Sequence, residues 1–152
     1  MKVEYSETYE YDLKGINELI KVVRSDPSSI YKPPCDFDLE DIRINDLYTS
    51  FVAKAGDQII GFIELRGKYP FQGKGSSADI ILFIHPEHKR NGHATKLIKT
   101  VESFAQNETN LEKLIARIET GNSPSEQLFK GNNFKQKNKT HCGVDFCKDI
   151  TH

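Results

Sequence analysis

Six consecutive residues, Lys89-Arg90-Asn91-Gly92-His93-Ala94, are the part of this chain best suited to hold a ligand. They follow an apolar run, Ile80-Ile81-Leu82-Phe83-Ile84, that stops at His85-Pro86. They lead into apolar residues at Ala94, Leu97, Ile98, Val101, Phe104 and Ala105. The first run reads as a buried strand and the second as one face of a helix. A basic turn thus carries a strand into a helix N-terminus, where unpaired N–H groups and the positive end of the helix dipole favour an anion such as a phosphate. Gly92 lets the backbone come close to that anion, and Ala94 keeps the same side slim. Lys89 can add a point charge and Arg90 a fork of donors. Without its surroundings the stretch also reads as a solvated surface turn.

The acids that can accept a proton lie near strand ends. Glu64 sits among Phe62, Ile63 and Leu65, Asp79 opens the strand that precedes the basic turn, and Asp145 is a third candidate. Each can act directly or through a water, and each also reads as an outward-facing carboxylate. His85 reads as an ordinary strand-end residue. With His88 it makes no metal pair, because a proline stands between them and no third ligand follows at useful spacing. Gly73-Lys74-Gly75-Ser76 lacks the full spacing of a nucleotide loop and leads into a strand, not a helix.

Elements on either side must position these groups. Val3 to Tyr9 reads as a first strand, and Asp12 as the cap of a helix through Arg24 with apolar Leu13, Ile16, Leu19, Ile20 and Val23. Ser25 to Asp38, holding Pro27, Pro33 and Pro34, is an irregular connection, followed by a weaker helix over Leu39 to Tyr48. Phe51 to Ala55 and Gln58 to Leu65 flank Gly56-Asp57 as a hairpin. Lys68 to Ser77 is a loop, and Lys113 to Ile118 another strand. Ser123-Pro124-Ser125-Glu126 predicts a short helix, with Ser123 as N-cap, Pro124 at the first position and Glu126 closing a capping box. Phe134 to Ile150 supplies a final pair of strands.

Lys89 to Ala94 resembles the acetyl-CoA signature of the GNAT N-acetyltransferases, Gln/Arg-x-x-Gly-x-Gly/Ala, with Lys89 in the first slot, Gly92 at the first glycine and Ala94 at the last. Pro86-Glu87 is typical of that family just before the turn. The element order resembles the family over nearly the whole chain. A second local match, Asn-x-x-Ala-x-x-x-Tyr-x-x-x-Gly-Phe, falls on Asn122, Ser125, Phe129, Asn133 and Phe134. Asn133 stands for a glycine because asparagine tolerates a left-handed backbone. Phe129 departs from the family, since it keeps the packing ring but has no proton to give.

The resemblance implies an α/β fold of the α+β kind, with a mixed, mainly antiparallel sheet flanked by helices and splayed at the strand that binds acetyl-CoA. It implies acetyl-CoA as co-substrate and a primary amine of a small molecule or peptide as acceptor, in a monomer or homodimer. The cofactor would lie against Phe83 and Ile84, where a backbone N–H serves the thioester oxygen, and against Lys89, Arg90, Asn91, Gly92, His93, Ala94 and Thr95, with Asn122 and Phe129 near by. Asp79 matches the place where many relatives carry a glutamate, so Asp79 and Glu64 are the candidate bases. Two alternatives remain open: a non-catalytic acyl-CoA-binding or regulatory module, and an interaction domain on the same scaffold.

Composition agrees with one compact domain over residues 1–152, long enough to bury a core without staples. A formal net charge of -1 gives no reason to expect nucleic acid or an anionic membrane as partner. No apolar stretch approaches the roughly 18 residues of a membrane span. The acidic start is unlike a secretion signal. Three cysteines, Cys35, Cys142 and Cys147, are odd in number and not at metal spacing, which predicts reduced thiols in a cytoplasmic protein.

Overall fold

The computed structural model describes residues 2–29, 31–42, 48–67 and 75–152. Its strands are Val3–Glu7 (β1), Tyr48–Ala55 (β2), Gln58–Gly67 (β3), Ser77–Ile84 (β4), Lys113–Glu119 (β5), Lys135–Lys139 (β6) and Gly143–Asp149 (β7). They form one sheet in the order β1-β2-β3-β4-β5-β7-β6. Every neighbouring pair is antiparallel except β4 and β5, which run parallel. The helices are Leu13–Ser25 (α1), Leu39–Ile42 (α2), His93–Glu108 (α3) and Ser123–Gly131 (α4).

Strand alternation divides the sheet into two faces. On one, α1 lays Ile16, Leu19, Ile20 and Val23 against Val52, Phe62 and Phe83. Each of these aliphatic side chains contributes roughly 1.5–3 kcal/mol by leaving water, so α1 is held by its apolar stripe. On the other face, α3 packs Leu97, Ile98, Val101 and Ala105 with Phe51, Ala53, Ile63 and Ile80, and Phe129 of α4 joins the same core. Phe62, Glu64 and Arg66 thus share the α1 face of β3, while Ile63 and Leu65 serve the α3 face. The close approach of α3 depends on Gly61. A Cβ there would lie 2.9 Å from Ile84 Cδ1, 3.0 Å from Leu97 Cδ1 and 3.3 Å from Ala53 Cβ.

The hairpin turns at Gly56-Asp57 as its residues predict, but both strands run further than the alternation suggests. Tyr48 opens β2 opposite Arg66 instead of closing a helix, because strand pairing with β3 recruits it. The expected helix over Leu39 to Tyr48 is therefore α2 alone, and Leu47 lies outside the described residues, as does most of the Lys68 to Ser77 loop. Asp12 occupies the N-cap position of α1 without capping it. Its carboxylate instead accepts from the Tyr9 N–H at 2.8 Å and pairs with Lys54 at 2.6 Å. The cap of α4 is Asn122, not Ser123, because the Asn122 side chain accepts the Ser125 N–H at 3.3 Å and so moves the helix start forward by one residue.

Gly61→Val should destabilise the fold by about 1–3 kcal/mol through overpacking beneath α3. Urea unfolding measures this as a lower midpoint with unchanged slope.

Candidate functional site

Among the described residues the one parallel pair in the sheet is also among its shortest, with four paired positions. β4 pairs with β3 along its length, from Ala78 opposite Gly67 to Ile84 opposite Gly61. β5 pairs with β7 from Lys113 to Glu119. Between β4 and β5, however, pairing covers only Ser77 to Ile80 with Lys113 to Ala116. Beyond that point each strand follows its antiparallel neighbour, and a wedge opens between them. The His85 N–H donates to the Ile60 carbonyl at 2.7 Å, so by alternation Phe83 turns its peptide groups to β3 while Leu82 and Ile84 turn theirs into the wedge. On the far side, Ile150 N–H to Glu112 carbonyl and Thr120 N–H to Cys142 carbonyl set the opposite parity, which leaves Arg117 and Glu119 facing the wedge. Of the two strand residues expected to meet a cofactor, Ile84 offers its backbone to the gap. Phe83 instead lays its ring on the α1 face, beside Phe62.

The turn from β4 to α3 stands at the mouth of this wedge. A short 3-10 turn, Pro86–His88, leads to extended Lys89, and then Arg90 (φ 65°) and Gly92 (φ 82°) both take the left-handed conformation. For Arg90 this is a strained backbone; for Gly92 it is not. A Cβ at Gly92 would meet nothing within 4 Å, so the turn opens outward. The Lys96 N–H closes the first helical bond onto the Gly92 carbonyl at 3.1 Å, which leaves the N–H groups of His93, Ala94 and Thr95 without helical acceptors. Lys89, Arg90 and Asn91 are exposed, and Ala94 and Thr95 are half-buried. Lys89 Nζ lies 3.9 Å from Asp26, and Asn91 donates weakly to the His88 carbonyl at 3.4 Å. His93 contributes only backbone to the turn, for its ring is buried and its Nδ1 meets the Tyr5 hydroxyl at 2.7 Å.

Asn122 and Phe129 hold α4 in place. Asn122 supplies the cap, and Phe129 is buried edge-on to Phe134 with ring centroids 5.1 Å apart.

The carboxylates gather on the α1 face. Glu64 is only 2 % exposed. The Tyr48 hydroxyl donates to its Oε2 at 3.0 Å, and an Arg66 nitrogen stands 3.7 Å from Oε1. Burial pushes the Glu64 carboxyl up from its usual value; Arg66 and the Tyr48 hydroxyl oppose this, and Asp41 adds to it. Asp79 is half-buried directly opposite Arg66 on the neighbouring strand. Asp145 is engaged elsewhere, accepting two bonds from Arg117 at 2.8 and 3.3 Å. His85 Nδ1 accepts the Glu87 N–H at 3.1 Å and so caps the 3-10 turn. Tyr31 stacks on Phe83 at 6.3 Å, and its hydroxyl is pushed up to about 12 by burial and then by Glu64 and Glu119. Sequence reasoning missed the link from Tyr48 and Arg66 to Glu64. A strand drawn back to Tyr48 would have exposed it, because Tyr48 then falls on the Glu64 face.

Among the described residues no group of three His, Cys, Asp or Glu is arranged to hold a metal ion. No described helix is long and apolar enough to cross a membrane. The cysteines are free thiols, with Cys147 buried and the other two exposed.

Comparison with known proteins bears on the same elements. Among curated proteins no sequence matches. Solved structures match in fold. The GNAT domain of PAT from S. lividans superposes with a TM-score of 0.81 at 16% identity, covering 97% of this chain and 90% of that one. A GNAT-family acetyltransferase from Streptococcus pneumoniae gives 0.79 at 16% identity, covering 98% and 100%. The PaiA N-acetyltransferase from Thermoplasma acidophilum, solved in complex with coenzyme A, gives 0.76 at 18% identity, covering 98% and 99%. The profile described as acetyltransferase (GNAT) family matches residues 16–134, which hold the wedge, the basic turn and the buried carboxylate. This chain belongs to the GNAT acetyltransferase family.

Proposed function

We propose that this chain is an acetyl-CoA-dependent N-acetyltransferase that moves an acetyl group directly to a primary amine of a small molecule or peptide. The observation that carries the reading is the β4–β5 wedge with an outward-opening turn at its mouth. Backbone groups of Leu82 and Ile84 face the wedge as a pantetheine arm would require, and the turn from Lys89 to Thr95 suits a pyrophosphate. The co-substrate supplies a thioester already activated for attack. The chain has to align the amine, take its proton and steady the oxyanion. A peptide N–H of β4 on the wedge side suits the last task, with Ile84 the residue best turned for it.

Glu64 is the carboxylate we assign as base, with Asp79 as the alternative. Burial raises its proton affinity, which brings a carboxylate nearer to what proton transfer at neutral pH needs. Free thiols agree with a reducing, cytoplasmic setting. One feature favours a second reading: Phe129 cannot protonate the departing thiolate, as a non-catalytic acyl-CoA-binding module would not need to. Because a free thiol titrates near ~8.5, its thiolate leaves readily and can be protonated by water. Catalysis therefore survives the loss.

Three outcomes test this. Gly92→Glu should abolish binding of acetyl-CoA and CoA in calorimetry while circular dichroism stays unchanged, because an anion would occupy the pyrophosphate place; normal binding by the folded variant overturns the reading. In a screen of polyamines, amino acids, aminoglycosides and peptide N-termini with thiol detection, Glu64→Gln should lower turnover roughly 10²- to 10⁴-fold with CoA affinity nearly unchanged. Should Asp79→Asn do so instead, the base is Asp79. Stability gives the third. Glu64 binds its proton more tightly in the folded chain than in the unfolded one. Its contribution to stability is full below the unfolded value and is lost as pH rises through the folded value. Glu64→Gln removes that loss and should raise the thermal unfolding midpoint at neutral pH, by an amount that shrinks toward pH 4.

A further inference from the structure

The geometry points to Tyr48 and Arg66 as a clamp that positions the Glu64 carboxylate and keeps it ionised for proton transfer, with Tyr48 as the positioning residue. This rests on the assignment of Glu64 as base.

The sheet register builds the clamp. Ser50 lies directly opposite Glu64, and Tyr48 opposite Arg66, so Tyr48 is the diagonal neighbour of Glu64 on the same face. A diagonal neighbour is about 7–8 Å away at the backbone, too far for a short side chain and within reach of a tyrosine. Its hydroxyl arrives at Oε2, while Arg66, two residues along the same strand, approaches Oε1. Arg66 also lies over the Tyr48 ring, 5.5 Å from its centroid, so each clamp member restrains the other. Both oxygens of one buried carboxylate are thereby addressed from one side of the site.

Charged and titratable groups face Glu64 as Tyr48 from β2, Arg66 from β3, Asp41 from α2, and Tyr31 from the connection between α1 and α2. Asp79 of β4 stands across from Arg66. Asp41 disfavours a charged Glu64, and burial disfavours it more. Among the described residues, Arg66 and the Tyr48 hydroxyl act the other way. Burial and Glu64 itself drive the Tyr48 phenol far above its usual value, so it remains a donor at any working pH and never competes as an anion. Removing the hydroxyl leaves a buried carboxylate that takes up a proton at higher pH.

The test follows Glu64 by two routes. The side-chain carboxyl is titrated by carbon-13 NMR of glutamate-labelled protein, with Glu64→Gln identifying the resonance. Turnover is measured against pH with the most active amine of the screen. Tyr48→Phe should move the carboxyl midpoint and the acid limb of turnover upward together, by roughly one to two pH units. Turnover then falls at least tenfold below the new midpoint and recovers at high pH, with the KM for acetyl-CoA unchanged. Arg66→Gln should move both in the same direction, Arg66→Lys should restore part of the shift, and the Arg66 variants carry the test if Tyr48→Phe fails to fold. An unmoved midpoint overturns the clamp. A midpoint that moves while the acid limb stays shows that the ionisation of Glu64 does not govern turnover, and also overturns the clamp's role in proton transfer. Wild-type turnover from Glu64→Gln overturns the assignment of the base, and the clamp's catalytic role with it.

Discussion

The arrangement depends on a competition for backbone partners around β4 and β5. A parallel pair is somewhat weaker per residue than an antiparallel one, and here it is flanked on both sides by antiparallel ladders that run further. The short parallel contact holds the two strands together at one end and yields at the other. Leu82, Ile84 and the basic turn sit at that yielding end, while Glu64 lies just beyond the last paired residue and Asp79 within the paired stretch. Peptide groups are exposed there without strain because each strand remains fully anchored on its other edge.

The two faces of the sheet have different duties. The α3 face is apolar and tightly filled, with Gly61 admitting the helix. The α1 face carries a core of its own under α1 and then changes character within one strand, from Phe62 to Glu64 to Arg66. A carboxylate two residues from a fully buried phenylalanine lies in a low-dielectric setting, where neighbouring donors count for more than they would in water. Burial there raises the proton affinity of Glu64, which is why the proposed base is placed on this face.

Much of this is legible in the sequence where local rules and packing agree. The strand over residues 80–84 and the helix after Gly92 are readable because apolar spacing and a glycine at the junction say the same thing. The hairpin is readable from Gly56-Asp57. Legibility fails where tertiary partners decide. Tyr48 looks helical beside Leu39 and Ile42 but is claimed by β3. Ser123 looks like a cap, yet Asn122 reaches the helix first. Asp145 looks available until Arg117, distant in sequence, takes both of its oxygens. Phe83 and Ile84 are adjacent and both apolar, and only the parity set by a backbone bond at His85 separates their orientations.

The left-handed turn at Arg90 has a kinetic side. Holding a non-glycine residue there costs of order 1–3 kcal/mol, and the fold meets that cost during folding, before any ligand arrives. A loop that is already shaped loses little entropy on association, so encounter need not wait for rearrangement. If the turn receives the pyrophosphate as proposed, a more relaxed one would give a sturdier protein but a slower receptor. Under that reading Arg90 converts part of the folding free energy into readiness to bind.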